Sequence, residues 1–180
     1  VFQKVKAAVL ARDPDDDTSV MVQMVLTAQN HSGLEEFIEE VREWPISGVA
    51  FTFYVPRAND DTGLAWDDLA DRDPVIDRLI AAKKKDPNLV KANVGTLELM
   101  YSDRCLEYTG ENGENCLMGS TLPLYMGDGG RFERTFCCFG NDVDCSHCGG
   151  YVVFNSAYHK QIKGEGEYHH RSRYFSKPKP

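Results

Sequence analysis

Six cysteines lie between positions 105 and 148 of this chain, and none lies elsewhere. They are Cys105, Cys116, Cys137, Cys138, Cys145 and Cys148. Cys145-Ser146-His147-Cys148 has the CxxC spacing, which lets two thiolates reach one metal from a tight turn. Cys137-Cys138 precedes it and Cys116 stands further upstream, so thiolates from Cys116, Cys138 or Cys137, Cys145 and Cys148 are expected to converge on one ion. Neighbours in a strand point to opposite faces, so only one of Cys137 and Cys138 is expected to bind; the choice falls on Cys138. Buried thiols that act as small hydrophobes are the bland alternative. Structural zinc and an iron–sulfur cluster suit the same ligands, and spacing does not separate them. His147 sits inside the CxxC and is either a further ligand or a solvent-facing side chain. His31 follows an apolar run and reads as a loop residue, as His169 and His170 read as tail residues.

Disulfides suit small secreted domains. More than 100 residues precede Cys105, and the opening residues lack the basic and apolar regions of a leader. An intracellular metal site is therefore expected. Val1 already lies within a helical pattern, which suggests a piece of a longer protein.

The elements that would position these thiolates are legible upstream. Phe2, Val5, Ala8 and Val9 mark one face of a helix over 1–11. Asp13-Pro14 and Asp15-Asp16-Asp17 end it in a loop. Val20 to Leu26 is a nearly continuous apolar strand, as when both faces of a sheet are covered. Ser32-Gly33-Leu34-Glu35 has capping-box spacing, and Leu34, Phe37, Ile38, Val41 and Trp44 continue a helix. Val49 to Val55 is a second strand, so a parallel, right-handed strand–helix–strand unit is expected. Asp73-Pro74 suits the start of a helix to Lys85 whose buried face is Ile76, Leu79 and Ile80, with three lysines at its favourable end. Leu89 to Val94 is a possible strand, with Thr96 as a possible cap for a short helix. Leu122–Met126 and Arg131–Phe136 flank a glycine-rich hairpin signal. Tyr151 to Tyr158 suits a final helix.

The formal net charge is −8, concentrated in an acidic body, whereas residues 160–180 are basic. An acidic body argues against nonspecific nucleic-acid binding, and the basic end reads as a solvated tail. No apolar run reaches the roughly 18–20 residues of a membrane span. Neither GxSxG nor HExxH occurs, which removes the commonest hydrolase signatures.

Two stretches resemble a known family. Gln29-Asn30-His31 leading into an amphipathic helix, followed by Gly48-Val49-Ala50-Phe51-Thr52-Phe53-Tyr54-Val55-Pro56, is similar to the fifth and sixth strands of the radical S-adenosylmethionine enzymes. Cys116 to Cys148, with Gly129-Gly130 before Cys137, resembles their auxiliary-cluster extensions of the SPASM or twitch kind. The resemblance spans about residues 1–155. The family's CxxxCxxC is absent and would belong upstream of Val1. Six residues separate Gly130 from Cys137, a longer spacing than the family's usual one.

The resemblance implies an α/β fold: C-terminal strands and helices of a partial (β/α)6 TIM-type barrel over 1–102, a cysteine-rich hairpin and helix module over 103–159, and a tail over 160–180. It tips the metal towards a 4Fe–4S cluster, with zinc as the alternative. It implies an enzyme that abstracts hydrogen from a small molecule or peptide through a 5′-deoxyadenosyl radical, served by a reductant protein in the cytoplasm. This chain alone would be inactive. Ligands of parallel sheets bind beyond the strands' carboxyl ends. Asn30 would thus face the ribose or carboxylate of S-adenosylmethionine, and Tyr54 and Val55 its adenine. A non-catalytic zinc-ribbon-like module is the competing reading.

Overall fold

A computed structural model describes residues 1–13, 17–118, 124–126, 132–134 and 143–162, with backbone alone for 124–126, 132–134, 161 and 162. Helix α1 (Phe2–Leu10) is followed by β1 (Met21–Leu26), α2 (Leu34–Arg42) and β2 (Gly48–Phe53). Then come α3 (Asp73–Lys85), α4 (Val94–Glu98), α5 (Cys105–Thr109), β3 (Leu124–Met126), β4 (Phe132–Arg134) and α6 (Tyr151–Ala157). A π-helical turn, Tyr158–Ile162, extends α6.

β1 and β2 pair in parallel, from Met21 opposite Gly48 to Leu26 opposite Phe53. The parallel pairing is therefore the one that the two apolar runs predict. Coverage of both sheet faces is not found among the described residues. Val22 and Leu26 are buried in β1, while Met21, Gln23 and Val25 are exposed. In β2, Val49, Phe51 and Phe53 are buried and Ala50 and Thr52 are half-buried. Side chains alternate across a strand, so one face meets the core and the other is only partly covered. Phe37 of α2 meets the edge of Phe51 on the covered face, with ring centroids 6.1 Å apart.

The partial barrel is not the architecture found. The structure is a small α/β protein whose parallel sheet has two strands, and β3 and β4 pair antiparallel as a separate sheet. The physical reason lies along the free edge of β2. Val49 makes a single parallel bridge to Val90. The chain then turns, because the Asn93 side chain accepts the Thr96 amide and starts α4. Further along the same edge the Phe53 amide donates to the Gly149 carbonyl at 2.9 Å. A third strand beside β2 thus stops at one bridge, and the cysteine turn occupies the next position. The possible cap falls to Asn93 rather than Thr96.

Two other starts differ locally. A 3₁₀ turn, His31–Gly33, precedes α2, and Gly33 at the cap position supplies no side chain, so the capping box does not form. The Asp73 carboxylate accepts from the Ser102 amide at 2.9 Å and hydroxyl at 2.6 Å, rather than capping its own helix. The α3 face is as expected, with Val75, Ile76 and Leu79 buried and Ile80 half-buried. In α1 Val9 is buried and Ala8 is exposed.

One core joins these elements. Leu26, Leu34, Val41, Val49, Ile76 and Leu79 share it with Cys105, Met118, Cys148 and Phe154. Burying each large aliphatic side chain contributes about 1.5–3 kcal/mol before chain entropy is counted. The described cysteine region is thus packed into the same core as the strand–helix–strand unit.

Candidate metal centre

Asp144 opens the CxxC turn. Its Oδ1 accepts the Ser146 amide at 3.0 Å, and its Oδ2 meets His147 Nδ1 at 2.8 Å. Partial burial pushes this carboxyl up, but hydrogen bonds from Ser146 and His147 outweigh it and hold the pKa below the usual value. The Cys148 amide donates to the Cys145 carbonyl at 3.3 Å, which closes the turn. The Gly150 amide donates to Cys148 Sγ at 3.4 Å. An N–H aimed at sulfur favours the electron-rich thiolate over the thiol.

Gly149 lets this turn lie against β2. A Cβ there would fall 2.4 Å from the Tyr54 carbonyl oxygen and 2.5 Å from Phe53 Cβ, so only glycine fits. The Gly149 carbonyl accepts from Phe53 N and from Thr52 Oγ1, at 2.9 and 3.1 Å. The Asp144 amide donates to the Pro56 carbonyl at 3.0 Å. The CxxC turn is therefore bound along the carboxyl end of a parallel strand.

Cys116 sits on a second turn. Its amide donates to the Gly113 carbonyl at 3.0 Å, and Gly113 has a φ of 86°. A Cβ on Gly113 would lie 3.1 Å from Cys145 Sγ, so this glycine brings the two turns together. Cys145 and Cys116 are half-buried and Cys148 is buried. Among the described residues no group of three His, Cys, Asp or Glu side chains is close enough to hold a metal ion. Cys137 and Cys138 lie outside the described residues. Cys116, Cys145 and Cys148 therefore do not make a metal site by themselves.

The other expected ligands stand at the ends of the strands. Asn30 Oδ1 accepts the Thr27 amide and its Nδ2 donates to the Val25 carbonyl, both at 2.9 Å. Its amide is occupied in closing the loop after β1. The Tyr54 amide donates to the Leu26 carbonyl at 2.8 Å. Val55 lines an apolar groove of about 430 Å³ together with Gln23, Val25, Ala50, Thr52 and Tyr151. His31 faces Trp66, with ring centroids 6.1 Å apart. The structure brings the CxxC turn beside Tyr54 and Val55, while the Asn30 side chain is bonded within its own loop.

Sequence reasoning missed Arg72. It is 1% exposed. Its Nη1 donates to the Cys148 carbonyl at 3.0 Å and its Nη2 to the Met100 carbonyl at 2.7 Å. Its guanidinium lies 5.4 Å from the Phe53 ring centroid. Burial pushes its pKa down, opposed by the sulfurs of Cys105 and Cys148 and by Asp73. Burial likewise pushes the Cys105 thiol up, opposed by Arg72. Nothing in the local text, Asp71-Arg72-Asp73, distinguishes this arginine from a surface residue.

No protein-family model, no curated protein and no solved structure matches this chain. No helix among the described residues is long and apolar enough to cross a membrane.

Proposed function

We propose that this chain is part of a radical S-adenosylmethionine enzyme and carries a thiolate-bound metal centre, an auxiliary 4Fe–4S cluster held by Cys116, Cys138, Cys145 and Cys148. The observation that carries the reading is the clamp of the CxxC turn along β2, through Phe53 and Gly149. It sets a candidate metal turn beside the region where parallel sheets bind ligands. The Gly150 amide directed at Cys148 Sγ supports thiolate character, and the approach of Gly113 to Cys145 supports contact with the Cys116 turn. Thiolate sites close around their ion, because metal binding and local folding are one equilibrium.

S-adenosylmethionine and the separate cluster of the absent CxxxCxxC motif would supply the radical chemistry, and this part of the protein would supply position and exclusion of water. Val55 and the groove beside it give an apolar wall for a small-molecule or peptide substrate. The backbone at Tyr54 and Val55 adjoins this wall, and Asn30 holds the β1 loop in shape. A reductant protein as partner and a cytoplasmic setting follow from the same reading.

Anaerobic reconstitution of the full chain with ferrous iron and sulfide tests it. Brown protein with broad thiolate-to-iron absorption is expected, lost on Cys145→Ser or Cys148→Ser. The zinc-ribbon-like reading rests on the same CxxC turn. It is the better one if aerobically purified chain carries tight zinc and takes up no iron.

A further inference from the structure

A structural metal ion takes about four thiolate or imidazole ligands, whereas a disulfide takes two sulfurs. The 3₁₀ turn over Cys145–His147 ends at Cys148, whose amide donates to the Cys145 carbonyl at 3.3 Å. In a 3₁₀ turn the side chains of the first and fourth residues lie over one another, and a rise of ~2 Å per residue sets their Cα atoms roughly 6 Å apart. Disulfide-bonded residues have Cα atoms about 4.4–6.8 Å apart. The backbone of this turn thus already holds Cys145 and Cys148 at bonding range. It is fixed at both ends, by the Ser146 amide on Asp144 Oδ1 and by the Phe53 amide on the Gly149 carbonyl.

The two sulfurs differ in access. Cys148 is 7% exposed, and its Sγ accepts the Gly150 amide. Cys145 is half-buried. Gly113 of the facing turn, where a Cβ would stand 3.1 Å from Cys145 Sγ, puts no side chain over that sulfur. A reagent therefore reaches Cys145 before Cys148.

We propose that Cys145 and Cys148 are a redox-active dithiol, oxidised to an intramolecular disulfide by exchange with a low-molecular-weight disulfide, with Cys145 attacking and Cys148 resolving. Cys145 sulfur attacks one sulfur of the reagent, forming a mixed disulfide and releasing one thiol. Cys148 sulfur then attacks Cys145 sulfur, closing the ring and releasing the second thiol. The two protein thiol protons end on the two released thiols, and the two electrons that the chain loses reduce the reagent. The proposal concerns the metal-free chain and stands apart from the metal reading above, since two sulfurs suffice and no third ligand enters.

The test incubates the full chain, stripped of metal by a chelator, in glutathione disulfide and glutathione. Remaining thiols are then alkylated and the chain is cut before Asp144. The resulting peptide, residues 144–180, contains Cys145 and Cys148 as its only cysteines, so mass spectrometry reads their state directly. The expected product is a peptide two hydrogens lighter than the reduced one, without alkyl groups. Its share is expected to be larger in buffer than in urea, because the folded turn holds the two sulfurs together. Cys148→Ser is expected to stop at a glutathione adduct on Cys145, and Cys145→Ser to form far less adduct on Cys148. An equal linked share in urea overturns the proposal, as does a peptide that stays fully alkylated. Linkage of either cysteine to Cys116, Cys137 or Cys138 in place of its turn partner also overturns it. Equal adducts on the two serine variants overturn the assigned order of attack. Metal uptake is not read, so failure here and failure of the metal reading are separate results.

Discussion

The Thr52 hydroxyl accepts the Tyr151 amide at 3.1 Å, 99 positions along the chain. The same hydroxyl donates to the Gly149 carbonyl at 3.1 Å. One side chain on β2 thus satisfies an amide at the start of α6 and holds the end of the cysteine turn.

Thr52→Val keeps the shape and removes both bonds. A helix start has amides without partners in its own helix, so the Tyr151 amide loses its acceptor. Stability is expected to fall by about 1–3 kcal/mol. Urea unfolding reads this as a lower midpoint with an unchanged slope, and an unmoved midpoint would count against the clasp.

Gly149→Ala tests the close approach directly. The added methyl meets the Tyr54 carbonyl and Phe53, at the carboxyl end of β2. A loss of about 1–3 kcal/mol is expected from overpacking, together with weaker metal uptake as the turn lifts. Thermal unfolding and metal analysis on the same sample check both parts.

Tyr101 provides a high-pH signature. Burial, together with its hydrogen bond to Asp77 at 2.5 Å, pushes the phenol up to about 12. The folded state therefore prefers the protonated phenol. Its contribution to stability is complete below the unfolded value near ~10 and is lost as pH rises through about 12. Tyr101→Phe should remove the late-titrating phenol from a spectrophotometric titration and flatten the fall in stability across that window. An unchanged titration would refute the assignment.

Glu35 works in the opposite direction. Its hydrogen bonds from Arg78 lead the forces that hold its carboxyl below the usual value, against a smaller push from burial. The stabilisation is present above the unfolded value near ~4.3 and is lost as pH falls through the lower folded value. Glu35→Gln should shrink the drop in melting temperature on acidification, with little change at neutral pH beyond a small surface ion-pair effect. A parental acid slope in the variant would remove Glu35 from the account.

Cys105 should behave unlike the turn cysteines. It is 2% exposed within α5, and its thiol points to the Ser102 carbonyl at 3.7 Å. Cys105→Ala is expected to lower stability while leaving metal uptake intact, whereas Cys145→Ser and Cys148→Ser should abolish uptake. Metal content per folded chain distinguishes the two classes.

The apolar runs at 20–26 and 49–55 determined β1 and β2 by themselves, and Leu34, Ile38 and Val41 determined the helix between them. Local hydrophobic period carries that information. The CxxC spacing of Cys145 and Cys148 likewise determined a tight turn. What only the tertiary structure decided is where the sheet stops. Val90 and Gly149 occupy successive positions on one edge of β2, and hydrogen-bond partners distant in sequence leave no trace in local pattern. The same holds for the residues that surround the turn. Arg72 looks like a solvent residue until Phe53, Met100 and the cysteine turn lie against it. Gly149 looks like an ordinary loop glycine until Tyr54 lies against it. Periodicity reports which face of an element is buried; long-range packing chooses what that face meets.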